Sequence, residues 1–269
     1  MKAIACAWRR SCRGGIGVVL GLLGLLGLLG LLGLASPAAA QELIAGCRVQ
    51  SSYDVRFEAD RLLFERAQPP PRQVELQQGR LRSDGRPVPL DAAAMARLAG
   101  FEREARALLP PLRAIALRGV DLAQAELAAA GAKLDLDAAA QVDFRQRLAA
   151  AAAKLKARIA ASHTSRDWHG EAFDAYVEQL GGELSGWLAG VLGEQALAAA
   201  MSGDLERAMR LRDQAATLAG GLEPRVRRRL EALRPSLAAL CPRFTALIEL
   251  QRGLVDDRGR PLVLLEKAP

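Results

Sequence analysis

An α+β fold is what the sequence predicts: an N-terminal antiparallel sheet, a larger helical region after it, and a C-terminal strand rejoining the sheet. Three observations carry this. Up to about residue 90, apolar and polar residues alternate with the period of a half-buried strand, and from Asp91 the apolar residues recur every three or four positions, as on a helix. Aromatic residues make up only 4% of the chain while alanine and leucine abound, a balance that favours helices. Cys47 and Cys241 stand near the two ends of what remains once a leader is set aside.

Residues 1–40 have the form of a cleaved signal peptide. Lys2, Arg9, Arg10 and Arg13 make a basic start, residues 16–34 are uninterruptedly apolar, and Ser36-Pro37-Ala38-Ala39-Ala40 supplies small residues for cleavage before Gln41. The chain is therefore expected in the periplasm, by general secretion, since Ser11, Cys12 and Arg13 follow Arg9-Arg10 where a twin-arginine leader prefers apolar residues. Two membrane-anchored alternatives stand beside this. The apolar run is long enough to act as an uncleaved anchor, although Gly21, Gly24, Gly27, Gly30 and Gly33 weaken it as a helix. Ile44-Ala45-Gly46-Cys47 has the form of a lipobox, although Pro37, Gln41 and Glu42 separate it from the apolar run.

Residues 41–90 form the β region. Tyr53, Val55 and Phe57 alternate with Asp54, Arg56 and Glu58; residues 62–64 and 74–76 follow as strands; and Leu81 and Val88 flank Ser83-Asp84-Gly85, which predicts a tight hairpin turn. Pro69-Pro70-Pro71 marks an exposed connection. Residues 91–269 are mainly helical and expected to share a domain with the β region. Asp91 caps a first helix, Pro110-Pro111 is expected to break it, and a second runs from about 112 to 130. A third spans about 137–161. A fourth carries Phe173, Val177, Leu180, Leu184, Trp187 and Val191 in one stripe. Asp204 or Ser202 caps a helix to about 218, Pro224 opens another, and Pro235 kinks or restarts it before Cys241. Gly259-Arg260-Pro261 precedes the apolar residues 262–265, read as the last strand.

The whole chain carries +7, but the leader holds four of the 37 basic residues and no acidic one, which leaves 33 against 30 and a net of +3. The high pI of the whole chain therefore overstates any basic function. Cys6 and Cys12 leave with the leader, and an even pair in an oxidising compartment is most simply a disulfide, Cys47 to Cys241. Lipidation of Cys47 would exclude that bond.

The order of these elements resembles the YggN-like family of uncharacterised periplasmic proteins from Gram-negative bacteria, a domain of unknown function. The resemblance rests on Cys47 close behind the leader, on Gly79-Arg80-Leu81 leading to Asp84-Gly85, Val88 and Leu90, on Gly119-Val120-Asp121-Leu122-Ala123, and on Cys241 in a late helix. It implies a cell-envelope location and supports the disulfide. It implies no activity.

No phosphate loop, dinucleotide fingerprint or nucleophile elbow appears, so neither a catalytic residue nor a cofactor is assigned. His163, Asp167 and His169 could in principle serve an envelope hydrolase or a metal-dependent enzyme, but their spacing is not that of a helical metal site, and no metal ligand is assigned. Gly182, Gly186 and Gly190, four apart, would let a neighbouring helix approach closely, as a packing ridge or as the contact of a structural oligomer. Charge is the leading signal: Arg207, Arg210, Arg212, Arg225, Arg227, Arg228, Arg229 and Arg234 against Glu206, Asp213, Glu223 and Glu231 give +4, more than the whole mature chain. Of these, Arg207, Arg210, Arg225, Arg227, Arg228, Arg229 and Arg234 are the candidate surface for an anionic envelope component or an acidic protein. Nucleic acid is not an expected partner, because no aromatic residues interleave with the arginines.

Overall fold

The computed structural model describes Cys47, residues 49–168 and residues 171–267, the side chains of 217–223 excepted. The leader and residues 44–46 of the lipobox lie outside the described residues. The fold is α+β, as the change of period predicts. Five antiparallel strands follow one another in space as in sequence: β2 (Asp54–Phe57), β3 (Leu62–Glu65), β4 (Gln73–Gln77), β5 (Arg80–Ser83) and β6 (Arg86–Val88). A separate two-stranded sheet pairs β1 (Val49–Gln50) with β7 (Glu266–Lys267).

Two turns set the register of the meander. Asp84 and Gly85 both have positive φ, the backbone that suits the twist of a two-residue hairpin, and Leu81 falls opposite Val88 as the sequence predicts. Gln78 and Gly79 repeat the device between β4 and β5. A side chain on Gly79 would run into the carbonyl of Met95, so glycine is needed there for space as well as for φ. Of the three prolines, Pro69 is exposed but Pro71 is buried, its carbonyl accepting from the Tyr53 hydroxyl at 3.1 Å and from Arg66 Nε at 3.1 Å.

The helices are α1 (Ala92–Gly131), α2 (Ala138–Ala161), α3 (Glu171–Met201), α4 (Leu205–Leu230), α5 (Arg234–Ala238) and α6 (Cys241–Leu250). Aspartates start three of them: Asp91 accepts from Ala94 N at 2.6 Å, Asp137 from Ala140 N at 2.8 Å and Asp204 from Arg207 N at 2.9 Å. The expected break at Pro110-Pro111 does not occur, and α1 is a single helix of 40 residues, about 60 Å long. Its apolar stripe explains this. Leu98, Phe101, Ala105 and Leu108 are buried before the prolines and Ile115, Ala116, Val120 and Ala123 after them, so packing holds both halves in one line against the local preference to break. Pro224 likewise sits inside α4, between buried Leu211 and buried Val226 and Leu230, instead of opening a new helix.

α1 packs against both α2 and α4, α3 against α4, and α2 more sparsely against α3. The short turns at 132–137 and 202–204 make each pair antiparallel and put both turns at one end of the array. The sheet occupies the other end. Leu62, Phe64, Val74, Leu76, Leu81 and Val88 from the sheet share a buried cluster with Leu98, Phe101 and Leu108 of α1, Val226 and Leu230 of α4, Leu247 of α6, and Leu254, Leu262 and Leu264 of the tail.

The tail returns to the β region but does not join the main sheet, which corrects the expected strand at 262–265. Those residues run along a buried glutamine instead: Gln251 Oε1 accepts from Leu264 N at 2.8 Å and Leu265 N at 3.0 Å, and its Nε2 donates to the Leu265 carbonyl. The amide thus stands in for a neighbouring strand, and pairing resumes only at β7. Asp256 closes the preceding turn, its Oδ1 accepting from Arg258 N and Arg260 N at 2.9 Å each and its Oδ2 from Arg260 Nε at 2.7 Å. Burial opposes ionisation of this carboxyl. The Arg260 backbone and side-chain donors, the Arg258 amide and the Arg260 charge outweigh it and hold the pKa below the usual value. Cys47 and Cys241 form the expected disulfide, with Cα atoms 5.0 Å apart across 194 positions of sequence.

Candidate functional site

The structure divides the seven candidate arginines into two groups. Arg207 and Arg210 lean toward Asp135 in the α1–α2 turn, at 3.5 and 3.8 Å, and Arg210 also meets Glu206 at 3.2 Å. Arg229 reaches Glu126 on α1 at 3.2 Å, and Arg227 is half-buried and engaged within the chain. Arg207, Arg210 and Arg229 thus tie α4 to the turn and to α1, although such exposed pairs contribute little individually. Arg225, Arg228 and Arg234 differ. All three are exposed and make no ion pair or hydrogen bond among the described residues, and they fall within ten positions of sequence where α4 leads into α5. Arg212, noted for its charge but not placed in the candidate surface, is exposed as well and makes no ion pair among the described residues.

The histidine loop has a structural occupation. Its short 3₁₀ turn, Ser165–Asp167, seals the outer edge of β2: Phe57 N donates to the His163 carbonyl at 2.7 Å, Val55 N to Ser165 Oγ at 2.9 Å, and Arg166 Nε to Asp54 at 2.7 Å. The Asp167 carboxylate accepts from the amides of His163 and Thr164 at 2.8 and 3.0 Å, which leaves it capping its own turn. His163 is exposed, and His169 lies outside the described residues. Among the described residues no group of three or more His, Cys, Asp or Glu could hold a metal ion. The guanidinium of Arg106 takes the Glu58 carbonyl at 2.6 Å, and Arg113, two turns along α1, takes the Ser162 carbonyl, so the helix clamps the two segments that meet at Phe57 and His163.

The glycine ridge is not a packing ridge within the chain, contrary to expectation. A methyl group added at Gly182, Gly186 or Gly190 would meet nothing within 4 Å, because these residues face outward. Close approach of helices is made elsewhere, at Gly131, where a side chain would collide with Phe144 of α2. Between α1, α2 and α3 lies an apolar cavity lined by Val120, Leu127, Leu155, Val177 and Leu184, with about 20 Å³ of room, the space of a single water. Among the described residues no helix is long and apolar enough to cross a membrane.

These features define a disulfide-tied α+β protein with an exposed group of arginines on its last long helix. The chain belongs to the family described as "Protein of unknown function (DUF2884)", whose model matches residues 47–257 and so spans both cysteines and all six helices. No curated protein matches it, and neither does any solved structure.

Proposed function

We propose that this is an exported, non-catalytic binding protein that docks electrostatically on an anionic component of the cell envelope through Arg225, Arg228 and Arg234. The observation that carries the reading is the division of the arginines: four are engaged inside the chain, and these three are exposed and make no ion pair among the described residues. A planar guanidinium suits phosphate and carboxylate oxygens, and three within ten positions give a local field that a net charge near +3 would not. The periplasm is the compartment we assign, supported by the leader-like residues 1–40 and by a disulfide that reducing compartments disfavour.

Flotation with vesicles containing phosphatidylglycerol, against vesicles of phosphatidylcholine alone, tests the docking. Wild-type protein is expected to bind the anionic vesicles and to lose them as salt rises, and the triple variant R225Q/R228Q/R234Q to bind weakly with little salt dependence. Equal binding by the triple variant would remove these residues from the account. Intact mass of the protein recovered from a bacterial periplasm tests the compartment, with a chain starting at Gln41 and two hydrogens short of the reduced mass as the expected result.

A further inference from the structure

The end of the molecule farthest from the sheet is built unlike the rest. Leu197 and Met201 on the last turns of α3, and Leu205 and Met209 on the first turns of α4, are 63%, 81%, 63% and 60% exposed. Each pair is four residues apart, so each occupies one helix face, and the three-residue turn at 202–204 sets the pairs side by side. The opposite faces are committed, since Leu192 and Leu211 are buried against Leu134, Leu136 and Ala140 from the neighbouring turn. Four apolar side chains exposed to this degree on the two arms of one helical hairpin present roughly 450 Å² of apolar surface, the size at which a patch marks an interaction site.

We infer that this surface is the contact by which two copies of the chain pair about a two-fold axis. Area is the first argument. Two such patches fully apposed bury about 900 Å² from these side chains alone, close to the roughly 1,000 Å² that marks a specific interface. Charge is the second. Glu194 on α3 and Arg212 on α4, each one turn from the patch toward the sheet, are exposed and make no ion pair among the described residues. Opposite signs on the two helices are what a self-complementary contact requires, because a two-fold axis offers Arg212 of each copy to Glu194 of the other. An anionic lipid surface is the poorer occupant. Around this end Lys133, Arg207, Arg210 and Arg212 face Asp135, Asp137, Glu194, Asp204, Glu206 and Asp213, a net of −2. The outward glycines at 186 and 190 extend the same face of α3 and leave room for a partner helix to lie close.

Sedimentation equilibrium of the disulfide-bonded protein from about 1 to about 200 µM decides it, since a small interface of this kind falls in the micromolar range. The expected result is a reversible monomer–dimer equilibrium. M201E/M209E should weaken it at least tenfold, with circular dichroism and thermal melting unchanged because both positions are exposed. R212E should weaken it, and E194R/R212E should restore it, a rescue that apolar contact alone would not produce. R225Q/R228Q/R234Q should dimerise as wild type does, which separates this contact from the docking of the arginines. A wild-type chain that stays monomeric throughout, or an M201E/M209E variant that pairs normally, overturns the proposal. So does a monomer that floats with phosphatidylcholine vesicles through Met201 and Met209, which would make lipid the occupant.

Discussion

The sheet end and the far helical hairpin treat their polar and apolar groups in opposite ways. At the sheet end, buried polar side chains are spent on backbone: Glu102 takes the amides of Gln78 and Gly79 at 2.9 and 2.8 Å, Gln251 pairs with the tail, and Asp256 closes its turn. At the hairpin the polar side chains, such as Gln214 taking the Asp135 amide at 2.9 Å, are at most half-buried, and it is leucine and methionine that remain uncovered. A buried donor or acceptor is costly unless matched, so the first arrangement fixes one geometry and tolerates little change. The second has no such constraint, and its sequence is therefore open to change without loss of fold.

The largest effect that would break this comparison is at the disulfide. Closing a loop of this length limits the unfolded chain by about 5 kcal/mol on the loop-entropy model, so reduction, or Cys47→Ser with Cys241→Ser, should lower the unfolding free energy from urea denaturation by an amount approaching that value. Glu102→Ala comes next. It strips the acceptor from the buried Gly79 amide and from Gln78 and should cost about 2 kcal/mol in urea unfolding, while Glu102→Gln, which keeps one acceptor oxygen, should cost less.

Asp256 sharpens the comparison through pH. Its folded pKa lies below its unfolded value of about 3.9, so the folded state holds the proton less tightly and the group stabilises the fold above that pH. The contribution is lost as pH falls through the lower folded pKa. Asp256→Asn should destabilise by about 1 kcal/mol at neutral pH and flatten the stability profile below about pH 4, as read by melting temperature across a pH series. The smallest effect is expected at the hairpin face. Gly186→Ala and Gly190→Ala enter open space within a helix and should each stabilise by roughly 0.5–1 kcal/mol in the monomer. Destabilisation at either position would mean that the face is packed in the monomer after all.

The same division governs what could be read from the sequence. The strands and the Asp84-Gly85 turn were legible because alternation and positive φ are local properties, and Asp91, Asp137 and Asp204 announce helix starts by the same local chemistry. Pro110-Pro111 and Pro224 misled because local propensity argues for a break, whereas buried residues on both sides decide for continuity. The tail does end in a strand on the β region, but at Glu266–Lys267 on β1 and not at 262–265, since nothing in a run of four apolar residues reveals that a distant glutamine will satisfy its amides. Among the site residues, the cysteine pair was found by counting. The arginines were found as a cluster, but their division was hidden, because Asp135 and Glu126 lie far away in sequence. The exposed patch was missed although its signal was present: Leu197, Met201, Leu205 and Met209 recur every four residues, off the stripe ending at Val191 that had already been assigned to the core.

The pairing of β1 with β7, and the burial of Leu262 and Leu264 in the cluster that holds the sheet, bear on the order in which the protein can be made. A chain that emerges with its N-terminus first, from a ribosome or a pore, presents the β meander long before the residues that cover it. That meander has to wait, covered in part by α1 alone, through the synthesis of three more long helices before the tail arrives. Contacts of this sequence separation form slowly, and the waiting state is where aggregation competes with folding. A truncation at residue 250 should therefore fail as an N-terminal lesion would, with the defect appearing in the strands.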